Sequence, residues 1–188
     1  LDLYVFEEVC RTLHRWDIEG LPMIPVSVNF AGATLRQESI ADKMLLLVEK
    51  YHVLCEYLEV EASEAGSEMN QEMLAETSSK IRKANVRVIL DHFGAKDSSF
   101  SILSLMEFDG LKLDKSLITN IVGNRRSQIV AQAVIDICRQ LGAYVQAAGV
   151  ETQDQLNVLA ELGCDFAQGA FFNKPITIET FEVRYLRG

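Results

Sequence analysis

The chain has 188 residues, enough for one domain that buries about two thirds of the surface of its unfolded form. Apolar residues make up 48% and charged residues 24%, with 11 glycines and 3 prolines, which excludes disordered and fibrous proteins. The net charge of −9 excludes a non-specific partner of nucleic-acid polymers, which needs a basic surface. No apolar run reaches the roughly 18 residues of a membrane helix, and no stretch resembles a secretory signal.

Four cysteines are scattered along the chain without a C-x-x-C pair. A domain of this size needs no disulfides, so the pattern indicates reduced thiols and predicts a cytoplasmic protein. The first residue, Leu1, falls within a predicted helix, and we therefore expect the chain to be a piece of a longer protein.

Short apolar runs alternate with longer helical patterns along the whole chain. Six runs of branched apolar residues predict strands: Ile24–Phe30, Tyr57–Ser63, Val86–Phe93, Gly110–Lys115, Tyr144–Val150 and Phe166–Phe172. The stretches around them predict helices: Asp2–Glu19, Gln37–Tyr51, Ser67–Ala84, Ser98–Phe108, Arg125–Leu141, Thr152–Leu162 and Thr177–Tyr185.

Successive strand and helix units predict a parallel sheet, either an open doubly wound sheet or a (β/α)8 barrel. Several strands alternate apolar and polar residues, as in Val26-Ser27-Val28-Asn29. A barrel can direct its polar face inward, towards the rim where active sites lie. Six strands in 188 residues match a single-domain α/β barrel whose first one or two strands are missing.

Polar residues cluster near the predicted carboxyl ends of all six strands. They are Asn29, Glu61, Asp91, His92, Lys112, Asp114, Glu151 and Gln168. Oxygen-rich sets of this kind suit Mg²⁺ or Mn²⁺. Each residue alone has a simpler interpretation as the solvated end of a strand, but one barrel would bring all of them to a common rim.

Six segments in order resemble the EAL domain family of bacterial cyclic di-GMP signalling. They are V-S-V-N, L-E-V-E-A-S-E, L-D-H-F-G, L-K-L-D-K-S, A-A-G-V-E-T and Q-G. The resemblance covers the chain from Leu1 to its C-terminus. It implies a (β/α)8 barrel that hydrolyses cyclic di-GMP to pGpG with divalent metals, and it places the E-A-L signature upstream of Leu1.

The resemblance also implies roles for individual residues. Asn29, Glu61 and Asp91 match metal ligands, and Lys112 matches the lysine that orients or activates the water. Glu151 matches the second glutamate of the E-G-V-E segment and is, with Lys112, a candidate catalytic residue.

Three further matches concern the ligand and a loop. Gln168 matches the glutamine of the Q-G motif near the nucleotide, and Asp114 matches a further acidic position in the strand of Lys112; both are candidate substrate-binding residues. Glu64 matches the glutamate that anchors the loop after the aspartate pair.

The chain departs from the family pattern at chemically important positions. His92 stands where the second metal-binding aspartate belongs, and it removes a negative charge and a hard oxygen ligand. Ala148 stands where the family has a candidate general base, whose loss typically costs about 10²–10⁴-fold in rate. Lys96 replaces a loop glycine, so a positive φ is costly there.

Three functions remain open on this basis. The first is a catalytically impaired module that binds cyclic di-GMP or regulates a partner and for which no metal need be bound. The second is an active phosphodiesterase that uses Mg²⁺ or Mn²⁺, in which His92 is still a metal ligand and Glu151 or a water compensates for the lost base. The third is a nucleotide-independent scaffold. The resemblance further suggests a homodimer and additional signalling domains in the parent protein.

Overall fold

The computed structural model describes residues 1–63, 71–95 and 100–187, and it contains one parallel sheet. Its six strands lie side by side in chain order: β1 Val26–Phe30, β2 Leu58–Ser63, β3 Arg87–Phe93, β4 Gly110–Leu113, β5 Tyr144–Ala148 and β6 Phe166–Gln168. Every neighbouring pair is parallel. The sheet is a curled partial barrel, and the predicted barrel class is confirmed.

Helices connect these strands. They are α1 Asp2–Ile18, α2 Gly32–Leu35, α3 Ile40–Tyr51, α4 Gln71–Lys83, α5 Ile102–Leu105, α6 Lys115–Ile118, α7 Arg125–Leu141, α8 Gln153–Glu161 and α9 Ile178–Phe181. A 3₁₀ turn covers Cys55–Tyr57, and a π-helical turn, Glu182–Leu186, follows α9.

The two faces of the sheet differ in polarity, as alternation along the strands predicted. Val28, Val60 and Leu111 belong to the main hydrophobic core. The intervening positions carry polar side chains, among them Glu61 and Lys112, which are buried. Because parallel strands share one direction, their carboxyl ends and these polar side chains meet at one edge.

Local capping signals set several helix ends. Asn124 accepts hydrogen bonds from the backbone N–H groups of Arg126 and Ser127 at the start of α7. Thr152 and Gln155 form a capping box at α8, which satisfies two backbone donors at that terminus. Gly142 ends α7 with φ 75°, a left-handed conformation that glycine adopts without steric cost.

Several predicted bounds were wrong. Strand Phe166–Phe172 stops at Gln168, because Gly169 packs against the backbone of Val150, where a Cβ would lie 2.0 Å from the carbonyl oxygen. Strand Gly110–Lys115 stops at Leu113, because the carboxylate of Asp114 caps α6 through the N–H of Ser116.

Helix bounds needed similar corrections. The helix predicted over Ser98–Phe108 is reduced to α5 in the described part, and the short helices α2 and α6 were not predicted. Both follow a strand directly and are too short to show a helical hydrophobic period. The described part of the chain contains no helix long and apolar enough to span a membrane.

The C-terminal turn is attached to α1 through the buried side chain of Glu182. Its carboxylate accepts hydrogen bonds from both terminal nitrogens of Arg15 and, at 2.7 Å, from the indole N–H of Trp16. These bonds, first those of Arg15 and then that of Trp16, lower the pKa of Glu182 to about 2. Trp16 belongs to the hydrophobic core, because the residue is only 3% exposed.

Candidate functional site

A buried ion pair lies at the centre of the polar face. The ammonium of Lys112 on β4 donates to Oε2 of Glu61 on β2 at 2.7 Å, and the hydroxyl of Ser27 on β1 donates to Oε1 at 2.6 Å. Ile89 of β3 lies opposite Glu61 in the register, so the lysine reaches across the middle strand. Both oxygens of Glu61 are therefore satisfied by side chains from other strands.

Asn29 lies beside this pair. It is the register partner of Glu61 in the β1–β2 ladder, so the two side chains share one face of the sheet. Asn29 is exposed, whereas Glu61 is only 3% exposed. The amide is therefore the solvent-facing neighbour of the buried carboxylate.

Asp91 and His92 lie where the β3–β4 register shifts, between Leu90 and Phe93. Consecutive strand residues normally point to opposite faces. Here His92 has φ 61°, a left-handed conformation that is uncommon for a residue other than glycine. Because of this bulge, the imidazole Nε2 of His92 lies 3.3 Å from a carboxylate oxygen of Asp91, on the same side of the strand.

The imidazole of His92 lies between two carboxylates. Its Nδ1 lies 3.1 Å from Oδ2 of Asp114, which comes directly after β4. Burial raises the pKa of Asp91, and the nearby Lys112 ammonium and His92 amide oppose this without cancelling it. Burial by itself would raise the pKa of Asp114 as well. Hydrogen bonds from Ser116 and His92 outweigh this effect, so the pKa of that carboxyl is lowered.

A third set of charges lies at the end of β5. Lys115, the first residue of α6, donates to Glu151 at 2.5 Å, and both side chains are more than half exposed. Gly149 has φ 77°, and a Cβ there would lie 2.7 Å from Cγ of Lys115. The aliphatic part of the Lys115 side chain thus lies over the backbone at Gly149, next to Ala148. The methyl side chain of Ala148 can neither bind a metal nor accept a proton.

Gln168 completes the rim on β6. Its Oε1 accepts a hydrogen bond from the side-chain amide of Gln146 on β5 at 3.2 Å, and Ala148 is its register partner. The structure thus brings Glu61, Lys112 and Asn29 together, and likewise Asp91, His92 and Asp114. Glu64 and Lys96 lie outside the described residues.

The sequence analysis did not single out three residues that contact this rim: Ser27, Lys115 and Gln146. A signal for Ser27 and Gln146 was present, because each lies on the polar face two residues from a named position, Asn29 and Ala148 respectively. Lys115 had no such signal, because its contact depends on α6 beginning directly after Asp114.

The set of acids is sparse for a metal centre. Within residues 1–63, 71–95 and 100–187, no three His, Cys, Asp or Glu side chains form a group that could hold a metal ion. Asn29, Glu61 and Asp91 supply one amide oxygen and two carboxylates at the ends of adjacent strands. Oxygen donors of this type suit a hard divalent cation, whereas His92 and Ala148 add no oxygen ligand.

Comparisons with known proteins agree with this fold. The family model of the EAL domain matches residues 1–175. The cyclic di-GMP phosphodiesterase NbdA of Pseudomonas aeruginosa is 31% identical over 182 residues, which cover 97% of this chain and 23% of that protein. The chain spans between a fifth and a third of the first curated relatives it matches.

Two solved structures show the same arrangement. The EAL domain of Mycobacterium smegmatis DcpA superposes with a TM-score of 0.90 at 24% identity, covering 97% of this chain and 82% of that chain. The PaMucR phosphodiesterase in its c-di-GMP complex has a TM-score of 0.86 at 22% identity, covering 95% and 72%. A family match over nearly the whole chain, together with these superpositions, shows that the chain belongs to the EAL domain family.

Proposed function

We propose that this chain is a cyclic di-GMP-binding EAL domain that hydrolyses its ligand poorly and acts as a receptor or regulatory module. The observation that carries this proposal is the imidazole of His92, which lies within 3.3 Å of Asp91 and 3.1 Å of Asp114. This is the position where the family pattern has a second metal-binding acid. The choice of ligand is supported by the relatives, since NbdA is named a cyclic di-GMP phosphodiesterase and PaMucR is in complex with c-di-GMP.

The donor set fits one divalent cation and not two. Asn29, Glu61 and Asp91 would hold a single Mg²⁺ or Mn²⁺, which supplies positive charge beside a phosphodiester when bound. A second cation would need further oxygen ligands, and the chain offers His92 and Ala148 there instead. A site that holds one cation instead of two can still bind an anion, but it activates water weakly.

The chain's own residues supply the remaining contacts under this proposal. Lys112 is held by Glu61, and under this proposal its ammonium would orient either water or a phosphate oxygen of the ligand. Gln168 on β6 and Asp114, directly after β4, would contact the nucleotide. Glu151 is paired with Lys115, so it serves to place that lysine rather than to remove a proton.

An active phosphodiesterase is the second candidate, favoured by a specific observation. Glu61, Lys112 and Asp91 are all buried. Burying three ionisable groups costs free energy of folding, so a protein without a reactive site would gain nothing from keeping them. The same cost argues against the third candidate, a scaffold that binds no nucleotide.

One experiment separates these functions. The full-length protein is mixed with cyclic di-GMP and Mg²⁺ or Mn²⁺, with binding followed by calorimetry and pGpG by chromatography. The proposal expects saturable binding to cyclic di-GMP, none to a linear dinucleotide of unrelated bases, and no measurable pGpG. Rapid formation of pGpG would establish the phosphodiesterase, and absence of binding heat under every condition would favour the scaffold.

We further propose that residues 1–188 form one domain of a larger cytoplasmic signalling protein that acts as a homodimer. The four free cysteines suit a reducing compartment, and the relatives are several times longer than this chain. Light scattering coupled to size exclusion measures the mass of the full-length protein, and a monomeric mass would contradict the dimer.

A further inference from the structure

Asp2, the first residue of α1, reaches the loop that follows Asn29. Its Oδ2 accepts hydrogen bonds from the backbone N–H of Ala31 at 2.9 Å and from the hydroxyl of Thr34 at 2.7 Å. The Thr34 bond is the main cause that lowers the pKa of Asp2. One carboxylate oxygen thus attaches the start of α1 to both ends of a four-residue segment.

That segment, residues 31–34, comprises the N-cap residue and the first three residues of α2. The backbone N–H at the start of this helix needs an acceptor from elsewhere in the fold. Its N-cap residue is Ala31, which makes no side-chain cap hydrogen bond. A helix of four residues has too few internal hydrogen bonds to be stable alone. The carboxylate of Asp2 supplies the missing acceptor, because it binds the N–H of the cap residue and the side chain three residues later.

Two other contacts hold α2 against its neighbours, β2 and α4. A Cβ added at Gly32 would lie 2.9 Å from the carbonyl oxygen of Ser63, the last residue of β2. The hydroxyl of Thr77 on α4 donates to the carbonyl oxygen of Leu35 at 3.1 Å. As a result, α2 lies against the end of β2, two residues beyond Glu61, and it follows the end of β1, one residue beyond Asn29.

We propose that Asp2 is a positioning residue for Asn29 and Glu61. It touches neither ligand nor cation; it fixes α2, and α2 fixes the ends of the two strands that carry those side chains. The consequence for ligand affinity rests on the function proposed above.

The test uses five variants of the full-length protein and two measurements. The variants are Asp2→Ala, Asp2→Asn, Thr34→Val, the double variant Asp2→Ala with Thr34→Val, and the matched control Asp17→Ala, an exposed aspartate on the same helix. Calorimetry measures the affinity for cyclic di-GMP, and hydrogen exchange measures the protection of the backbone amides of residues 29–35 and 61–63.

We expect Asp2→Ala to bind about 10- to 150-fold more weakly, the loss that corresponds to one hydrogen bond to a charged group. Asp2→Asn keeps an oxygen acceptor and should stay within about twofold of wild type. Thr34→Val should weaken binding less than Asp2→Ala, and adding it to Asp2→Ala should cost little more because both remove the same contact. Asp17→Ala should leave affinity and exchange unchanged.

The outcomes separate this inference from the function on which it rests. Wild-type affinity in Asp2→Ala, or an equal loss in Asp17→Ala, would overturn the inference while leaving the function intact. If the wild-type protein binds no cyclic di-GMP, the proposed function fails, and hydrogen exchange then decides the inference. Faster exchange at Asn29 and Glu61 in Asp2→Ala, restored in Asp2→Asn, supports it, and unchanged exchange refutes it.

Discussion

Lys112 and Glu61 form a buried ion pair across the sheet, with 2.7 Å between Nζ and Oε2 and side-chain exposures of 8% and 3%. Their strands are not neighbours, since β3 lies between them. A buried charge without its partner is strongly destabilising, so the pair links the stability of the barrel to its candidate site.

Replacing Lys112 with Met should lower the free energy of unfolding by about 3 kcal/mol, because Glu61 would remain buried without its cation. Urea denaturation at neutral pH without divalent cations measures the change. Lys50→Met is the matched control, because it breaks the exposed pair with Glu7 and should cost less than about 1 kcal/mol. Adding Glu61→Gln to Lys112→Met should recover part of the loss, and equal losses in the two lysine variants would contradict the prediction.

The double variant His92→Asp with Ala148→Glu should raise hydrolysis of cyclic di-GMP, because it supplies two missing oxygen ligands and a base. The expected gain is about 10²–10⁴-fold, measured as pGpG formed in Mn²⁺ by the full-length protein. His52→Asp is a suitable control, since His52 is also an exposed histidine with positive φ, 53° against 61° at His92. No gain would mean that the impairment does not reside at these two positions.

Stability should depend on pH through Glu182. Hydrogen bonds from Arg15 and Trp16 lower its pKa to about 2, from an ordinary value of 4.5. A carboxyl whose pKa is lower in the folded state stabilises the fold above the unfolded pKa, and this contribution is lost as the pH falls from 4.5 towards 2.

Urea denaturation of wild type and Glu182→Gln at pH 7, 4.5 and 3 tests this dependence. The wild type should be more stable at pH 7, and the difference should narrow by pH 3. Glu161→Gln, at an exposed glutamate of α8, should show no such trend. A difference that stays constant with pH would remove Glu182 as the titrating group.

Gly169→Ala should destabilise the end of β6 through steric conflict. The new Cβ would lie 2.0 Å from the carbonyl oxygen of Val150, and overpacking of this kind costs about 1–3 kcal/mol. It should also weaken binding of cyclic di-GMP, because Gln168 precedes the displaced backbone. Gly20→Ala is the control, since φ is 66° there but nothing lies within 4 Å of the added atom. Gly20→Ala should lower the free energy of unfolding by about 1 kcal/mol and keep its affinity for cyclic di-GMP. Equal losses of affinity in Gly20→Ala and Gly169→Ala would exclude the proposed displacement of Gln168.

The order of strands, the barrel class and the polarity of the two sheet faces followed from the amino-acid pattern. Alternation in β1 and β2 separates a core face from a polar face, since side chains alternate across a strand. The cap at Thr152 is a local feature of the sequence, because it depends on Thr152 and Gln155 within one helical turn. The departures at His92 and Ala148 were readable too, since they are residue identities at positions set by neighbouring motifs, although the roles carried over by the resemblance remain predictions.

Contacts between distant segments needed coordinates. Lys112 and Glu61 are 51 positions apart, and Trp16 and Glu182 are 166 apart; no local period reports such a pair. The bulge that turns His92 towards Asp91 and Asp114 depends on a register shift between β3 and β4, which is a property of two strands together. The bonds from Asp2 to Ala31 and Thr34 likewise arise because packing brings α1 against the end of β1. Hydrophobic periodicity specifies which face of a helix or strand is buried. Which distant residue that face contacts depends on how the whole sheet packs with its helices.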